Sequence, residues 1–131
     1  MKIWGKRVFA VIVALPGLLF IVMGLRWLVD PAGIAPTLGL QLQTGLGLSS
    51  QVGDFAGFFL VAGLSIWIAL VTRIKLWFYP PILLLVIAAS GRLIAWVLHD
   101  AAFAPQQIVF ELLIAVLLFV ASRVLPEQGR R

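Results

Sequence analysis

Four stretches of about twenty residues hold almost nothing but apolar side chains, and they leave this chain few ways to fold. The first follows Lys6-Arg7 and reads VFAVIVALPGLLFIVMGL. The second, DFAGFFLVAGLSIWIALVT, runs from Asp54 to Thr72. The third begins near Trp77 and reaches His99, and the fourth runs from Gln106 to about Leu125. As helices rising ~1.5 Å per residue, such runs cross a hydrocarbon layer roughly 30 Å thick. With 63% hydrophobic and 11% charged residues, a soluble fold of 131 residues has no way to bury so much apolar surface. Lipid leaves that surface unpenalised. The expectation is an all-α integral membrane protein: one domain over residues 1–131, a bundle of four transmembrane helices at about 8–29, 54–72, 77–99 and 106–125.

The first run is too long for a signal-peptide core, and no small-residue cleavage site follows it, so it reads as an uncleaved helix. Pro16 marks the expected place for a kink in that helix. Pro80-Pro81 falls in the first turn of the third, where missing N–H donors do little harm.

Charge then sets the orientation. The net charge is +5, and eight of the ten basic residues sit beside the apolar runs: Lys2, Lys6, Arg7; Arg73, Lys75; Arg123, Arg130, Arg131. The loops 30–53 and 100–105 hold no Lys or Arg. By the positive-inside rule both termini lie in the cytoplasm. This distribution is a topology signal rather than a phosphate-reading face, and it argues against nucleic acid as a partner. Trp4, Trp27, Trp77 and Tyr79 fall near span ends, as interfacial aromatic residues do. The chain has no cysteine, which removes disulfides, iron–sulfur clusters and thiolate chemistry.

The outer loop between the first two spans is long. Its LGLQLQTGLGL segment alternates with a period near two, which fits either a short β-hairpin turning at Gln43–Gly45 or an extended amphipathic segment on the membrane surface. Either would cap the outer end of the bundle.

Four charges lie in spans or at span ends: Arg26, Asp54, Arg92 and Glu111. Counted from the basic ends at ~1.5 Å per residue, they stand at heights of about 27, 28, 22 and 18 Å. A charge at mid-helix costs about 2.5–3.5 kcal/mol to insert, so such groups persist when they face the bundle interior and pair. Arg92 is the deepest cation, with Glu111 and Asp54 as expected partners. Three stripes are read as inward faces: Asp54, Gly57, Val61, Ser65; Ala88, Arg92, Ala95, His99; and Gln107, Glu111, Ala115, Leu118, Ser122. Gly53-x-x-x-Gly57 and Gly91-x-x-x-Ala95 suit close helix approach. Arg26 lies among bulky apolar neighbours and pairs locally with Asp30, as a snorkelling interfacial residue would.

Familiar catalytic and cofactor chemistry is missing from the pattern. His99 is the sole histidine, which argues against bis-histidine haem, and with Asp100 and Glu111 it matches no zinc motif. Ser49 and Ser50 lack a nucleophile elbow, and there is no P-loop or dinucleotide fingerprint. No cofactor or metal is expected, and an enzyme is the less favoured reading. The Phe and Trp residues read as packing and interface anchors.

The segments GLRWLVDP and TLGLQL, the acidic start of DFAGFFLVAGL, GRLIAWVL late in the third span and the early glutamate of FELLIAVLLF together resemble the DoxX-like superfamily of small four-helix bacterial membrane proteins. The likeness is to a branch described as a domain of unknown function, and it covers nearly the whole chain. It implies a four-helix fold in the bacterial inner membrane, with Asp54, Gly57, Arg92 and Glu111 as the family-like polar positions. Some DoxX-like proteins are associated with quinone-linked sulfur oxidation or redox-stress complexes; this chain has neither cysteine nor a visible redox centre.

The leading expectation is a non-enzymatic membrane protein with an outward-facing polar pocket. It would bind a lipid-like or quinone-like molecule or stabilise a membrane complex. Arg92 would be the anion anchor, Glu111 and Asp54 its partners, and His99 the rim. A proton-coupled transporter using Glu111 or Asp54 is the alternative, and a cofactor-free subunit of a redox complex the second. Homodimerisation through glycine faces is a further option.

Overall fold

The computed structural model describes residues 2–126, and within them the chain is helical with no strand. The long helices are α1 (Ile3–Val29), α3 (Gly45–Thr72), α4 (Tyr79–Leu98) and α5 (Pro105–Val124), with a single turn, α2 (Pro31–Ile34), after α1. All four long helices are long and apolar enough to cross a membrane. Their outer faces carry large bare side chains such as Val11, Leu83, Val71 and Leu113, which only lipid accommodates without penalty. The protein is a multi-pass membrane protein. Arg130 and Arg131, which contribute to the charge asymmetry, lie outside the described residues.

Span ends follow local chemistry. Asp30 accepts from the Gly33 N–H at 3.2 Å and caps α2, whose first residue is Pro31. Arg73 closes α3 in the left-handed region at φ 60°, its N–H bonded to the Ala69 carbonyl at 2.8 Å. Pro80-Pro81 sits in the first turn of α4, and Pro105 opens α5. Helix α1 runs unbroken through Pro16.

The helices begin and end a few residues from the expected limits, and the largest departure is at α3. It starts at Gly45, not Asp54, and so absorbs the last four residues of the segment read as a hairpin. Residues 41–44 join no helix or strand, and Thr44 is extended at φ −127° and ψ 166°. Their backbone partner is a side chain: Gln51 Nε2 donates to the Gln41 carbonyl at 2.9 Å, and the Gln43 N–H donates to Gln51 Oε1 at 2.8 Å. One amide thus does for this segment what a neighbouring strand would have done.

The bundle is built from two helix pairs. In the first, α1 packs closely along α3; in the second, α4 packs on α5. The buried residues of α1 are Val13, Gly17, Phe20, Gly24 and Trp27, a 4-3-4-3 spacing that keeps one seam facing its partner. Close approach comes from Gly17, Gly24 and Gly63. A Cβ on Gly63 would lie 2.7 Å from the Gly17 carbonyl oxygen and 2.8 Å from the Ile21 nitrogen. Gly53, Gly57 and Gly91 instead border open space, so the expectation that they mediate close packing within the bundle is corrected. The inward face of α3 is also corrected. Ala56, Phe59, Ala62, Gly63, Ser65 and Ile66 are buried there, whereas Asp54, Gly57 and Val61 are exposed. Trp27, expected at the interface, is fully buried and stacks on Phe55 at 4.9 Å. Its indole N–H has no hydrogen-bond partner among the described residues.

Candidate ligand-binding site

The seam of α5 is Ile108, Glu111, Ala115, Leu118 and Ser122, a 3-4-3-4 spacing that carries a carboxylate into the bundle one turn above the small Ala115. On the facing helix α4, Leu85 and Ala89 are buried, and Arg92 follows on the same side. The two charges meet. Arg92 Nε donates to Glu111 Oε1 at 3.0 Å and Oε2 at 3.1 Å, and Nη2 donates to Oε2 at 3.1 Å. Glu111 is 8% exposed, and the Arg92 side chain retains 41% of its exposure. Two donors on one edge of a planar guanidinium, both on one carboxylate, form the strong charge-assisted arrangement that a buried acid needs.

Arg92 and Glu111 border a cavity of about 510 Å³ between the two helix pairs. Its polar edge is Asp54, Arg92, Gln107 and Glu111. Its wall is aromatic, with Phe20 from α1, Phe55, Phe58 and Phe59 from α3 and Phe110 from α5. Five of the nine phenylalanines of the chain thus line one space. They brace one another: Phe58 meets Phe59 edge-on at 5.1 Å, and Phe20 lies 6.1 Å from Phe59. Leu38 and Leu40 from the α2–α3 connection, with Met23, Leu85 and Ala88, complete the lining.

The expected site residues therefore separate. Arg92 and Glu111 pair directly. Asp54 lies on the same cavity but outside ion-pair distance of Arg92, so the expected three-membered network is a pair plus a separate carboxylate. Arg26 is outside the lining and reaches Asp30 at 3.8 Å, one helical turn on. His99 ends α4 on the surface, followed by Asp100 at φ 58°, and does not reach the cavity rim. No three His, Cys, Asp or Glu side chains converge among the described residues. The aromatic wall is what reading by charge passed over. Its signal was Phe55, Phe58 and Phe59 packed into one turn directly after Asp54.

Chemically the site is amphipathic. The Arg92 guanidinium has five N–H donors, of which Nε and one on Nη2 serve Glu111. The remaining three have no protein acceptor among the described residues. Comparison of the chain with family models, curated proteins and solved structures returns no match.

Proposed function

We propose that this chain is a non-enzymatic protein of the bacterial inner membrane that holds an amphipathic small molecule, quinone-like or lipid-like, in the cavity between its helix pairs. The observation that carries the reading is the cavity itself: about 510 Å³, with a phenylalanine wall on one side and a paired arginine with spare donors on the other. Sites of a few hundred cubic ångströms, mostly apolar with a few convergent polar groups, are the usual form of small-molecule pockets.

The pairing refines the ligand chemistry. Arg92 read alone is an anion anchor, but here its charge is already met by Glu111, and Asp54 adds a further carboxylate. Counted by formal charge, the polar edge is +1 and −2, which disfavours an anionic head. A neutral head with carbonyl acceptors for the free Arg92 N–H groups suits it better, and a flat ring suits the aromatic wall. A quinone-like ring has both.

The DoxX-like resemblance supports a bacterial inner-membrane setting. The clustering of basic residues at one end of the spans supports a cytoplasmic position for both termini and an outward-facing cavity.

The test is a titration of purified protein in lipid nanodiscs with a short-chain quinone, followed by tryptophan fluorescence. Trp27, stacked behind the wall residue Phe55, is placed to report occupancy. Saturable quenching in the wild type, lost in Ala88→Phe, which puts a ring into the cavity, is the expected result. Quenching that rises linearly and equally in both proteins contradicts the proposal.

A further inference from the structure

A second, smaller cavity lies at the opposite end of the spans, and its chemistry is the reverse of the first. It measures about 140 Å³, well below the few hundred cubic ångströms of a drug-sized pocket. Lys6 and Arg7 reach it from the first turns of α1, and Arg73 reaches it from the end of α3, while Ala10, Leu70 and Leu125 supply apolar walls. Among the described residues, none of the three cations has a carboxylate within 4 Å. They come from two elements 66 residues apart in sequence and still line one concavity.

Two further features favour an anion there. Among the described residues, the first turn of α1 has no acidic residue and no side-chain cap, so its leading N–H groups still want acceptors. Arg73 sits at φ 60°, a backbone state that glycine adopts more readily. An arginine rather than a glycine at that turn keeps a cation at the cavity.

We propose that this cavity binds a phosphate group, specifically the phosphodiester head of an anionic phospholipid, with Lys6, Arg7 and Arg73 as its ligands. The setting selects lipid over a soluble anion, because the walls are apolar and the cavity lies where the spans meet the head-group layer. Basic pockets between transmembrane helices recognise anionic lipid heads in this way. The site is independent of the quinone-like ligand proposed above.

The experiment is native mass spectrometry of the full chain released from nanodiscs of mixed phosphatidylcholine and phosphatidylglycerol. It compares wild type, the double variant Lys6→Gln/Arg73→Gln, and a control, Lys2→Gln/Lys75→Gln, that removes the same charge from the same end but outside the cavity. The wild type and the control are expected to retain phosphatidylglycerol in preference to phosphatidylcholine, and the Lys6/Arg73 variant to lose at least tenfold of that preference. The conservative double Lys6→Arg/Arg73→Lys should keep it, and unchanged melting of the variants in detergent separates loss of lipid from loss of fold. Equal loss in cavity and control variants would reduce the cations to a topology signal and overturn the proposal, as would no preference in the wild type. Displacement of the lipid by millimolar inorganic phosphate would overturn the assignment to lipid and give the site to the free anion.

Discussion

Glu111 is nearly sealed in the bundle, and Arg92 supplies its hydrogen-bond donors. Replacing Arg92 with alanine leaves a buried carboxylate facing hydrocarbon. The loss should be about 3 kcal/mol, the low end for a broken buried pair, because Arg92 still sees the cavity. Removing both groups in Arg92→Ala/Glu111→Ala should recover part of that loss, with a coupling energy of about 1–3 kcal/mol in a double-mutant cycle. Unfolding in mixed detergent micelles measures both. Equal stability of wild type and Arg92→Ala would mean that the pair contributes nothing to the bundle. The pair was readable in the sequence because a charge inside a span needs an opposite charge at similar height, and Arg92 and Glu111 are the two deepest. Asp54 was placed at a similar height too, but height along a helix says nothing about direction around it. In all four spans nearly every direction is apolar in lipid and core alike, so amphipathic contrast gives little guidance. Of the stripe through Asp54, Gly57, Val61 and Ser65 only Ser65 is buried, whereas of the one through Gln107, Glu111, Ala115, Leu118 and Ser122 all but Gln107 are.

At the scale of elements, the closest approach belongs to α1 and α3 and depends on Gly63. Gly63→Ala places a methyl against the backbone of α1, where nothing flexible can yield, and should destabilise the protein by about 1–3 kcal/mol. Gly57→Ala points into open space and should leave the melting temperature unchanged or slightly raised, since alanine is the better helix former. A thermal melt of the two variants side by side checks this; similar losses would place a contact at Gly57 that the isolated chain does not show. The four spans themselves were legible from length and hydropathy alone. The α2–α3 connection was not, because its alternating pattern describes an extended segment without saying what pairs with it. Here the partner is the single amide of Gln51, reaching back from the helix that follows. Glycine spacing was similarly ambiguous. The sequence offers several separated glycines, and only packing distinguishes Gly17, Gly24 and Gly63, which meet a neighbour, from Gly53, Gly57 and Gly91, which do not.

For the molecule as a whole, the organising feature is two helix pairs with a cavity between them. Close packing through glycine ties α1 to α3, and the ion pair ties α4 to α5. Phenylalanines from both pairs face the intervening space. Such a space inside a membrane bundle gains from an apolar occupant, since an unfilled wall forfeits dispersion contacts. Its one polar edge then sets which way round that occupant lies. The most direct test of this account is native mass spectrometry of the protein extracted gently from its own membrane, wild type beside Ala88→Phe. The account predicts that the wild type carries one amphipathic small molecule per chain, with an uncharged polar head, and that the obstructed variant folds but comes out without it. A bare wild-type chain, or the same adduct on both proteins, would contradict it.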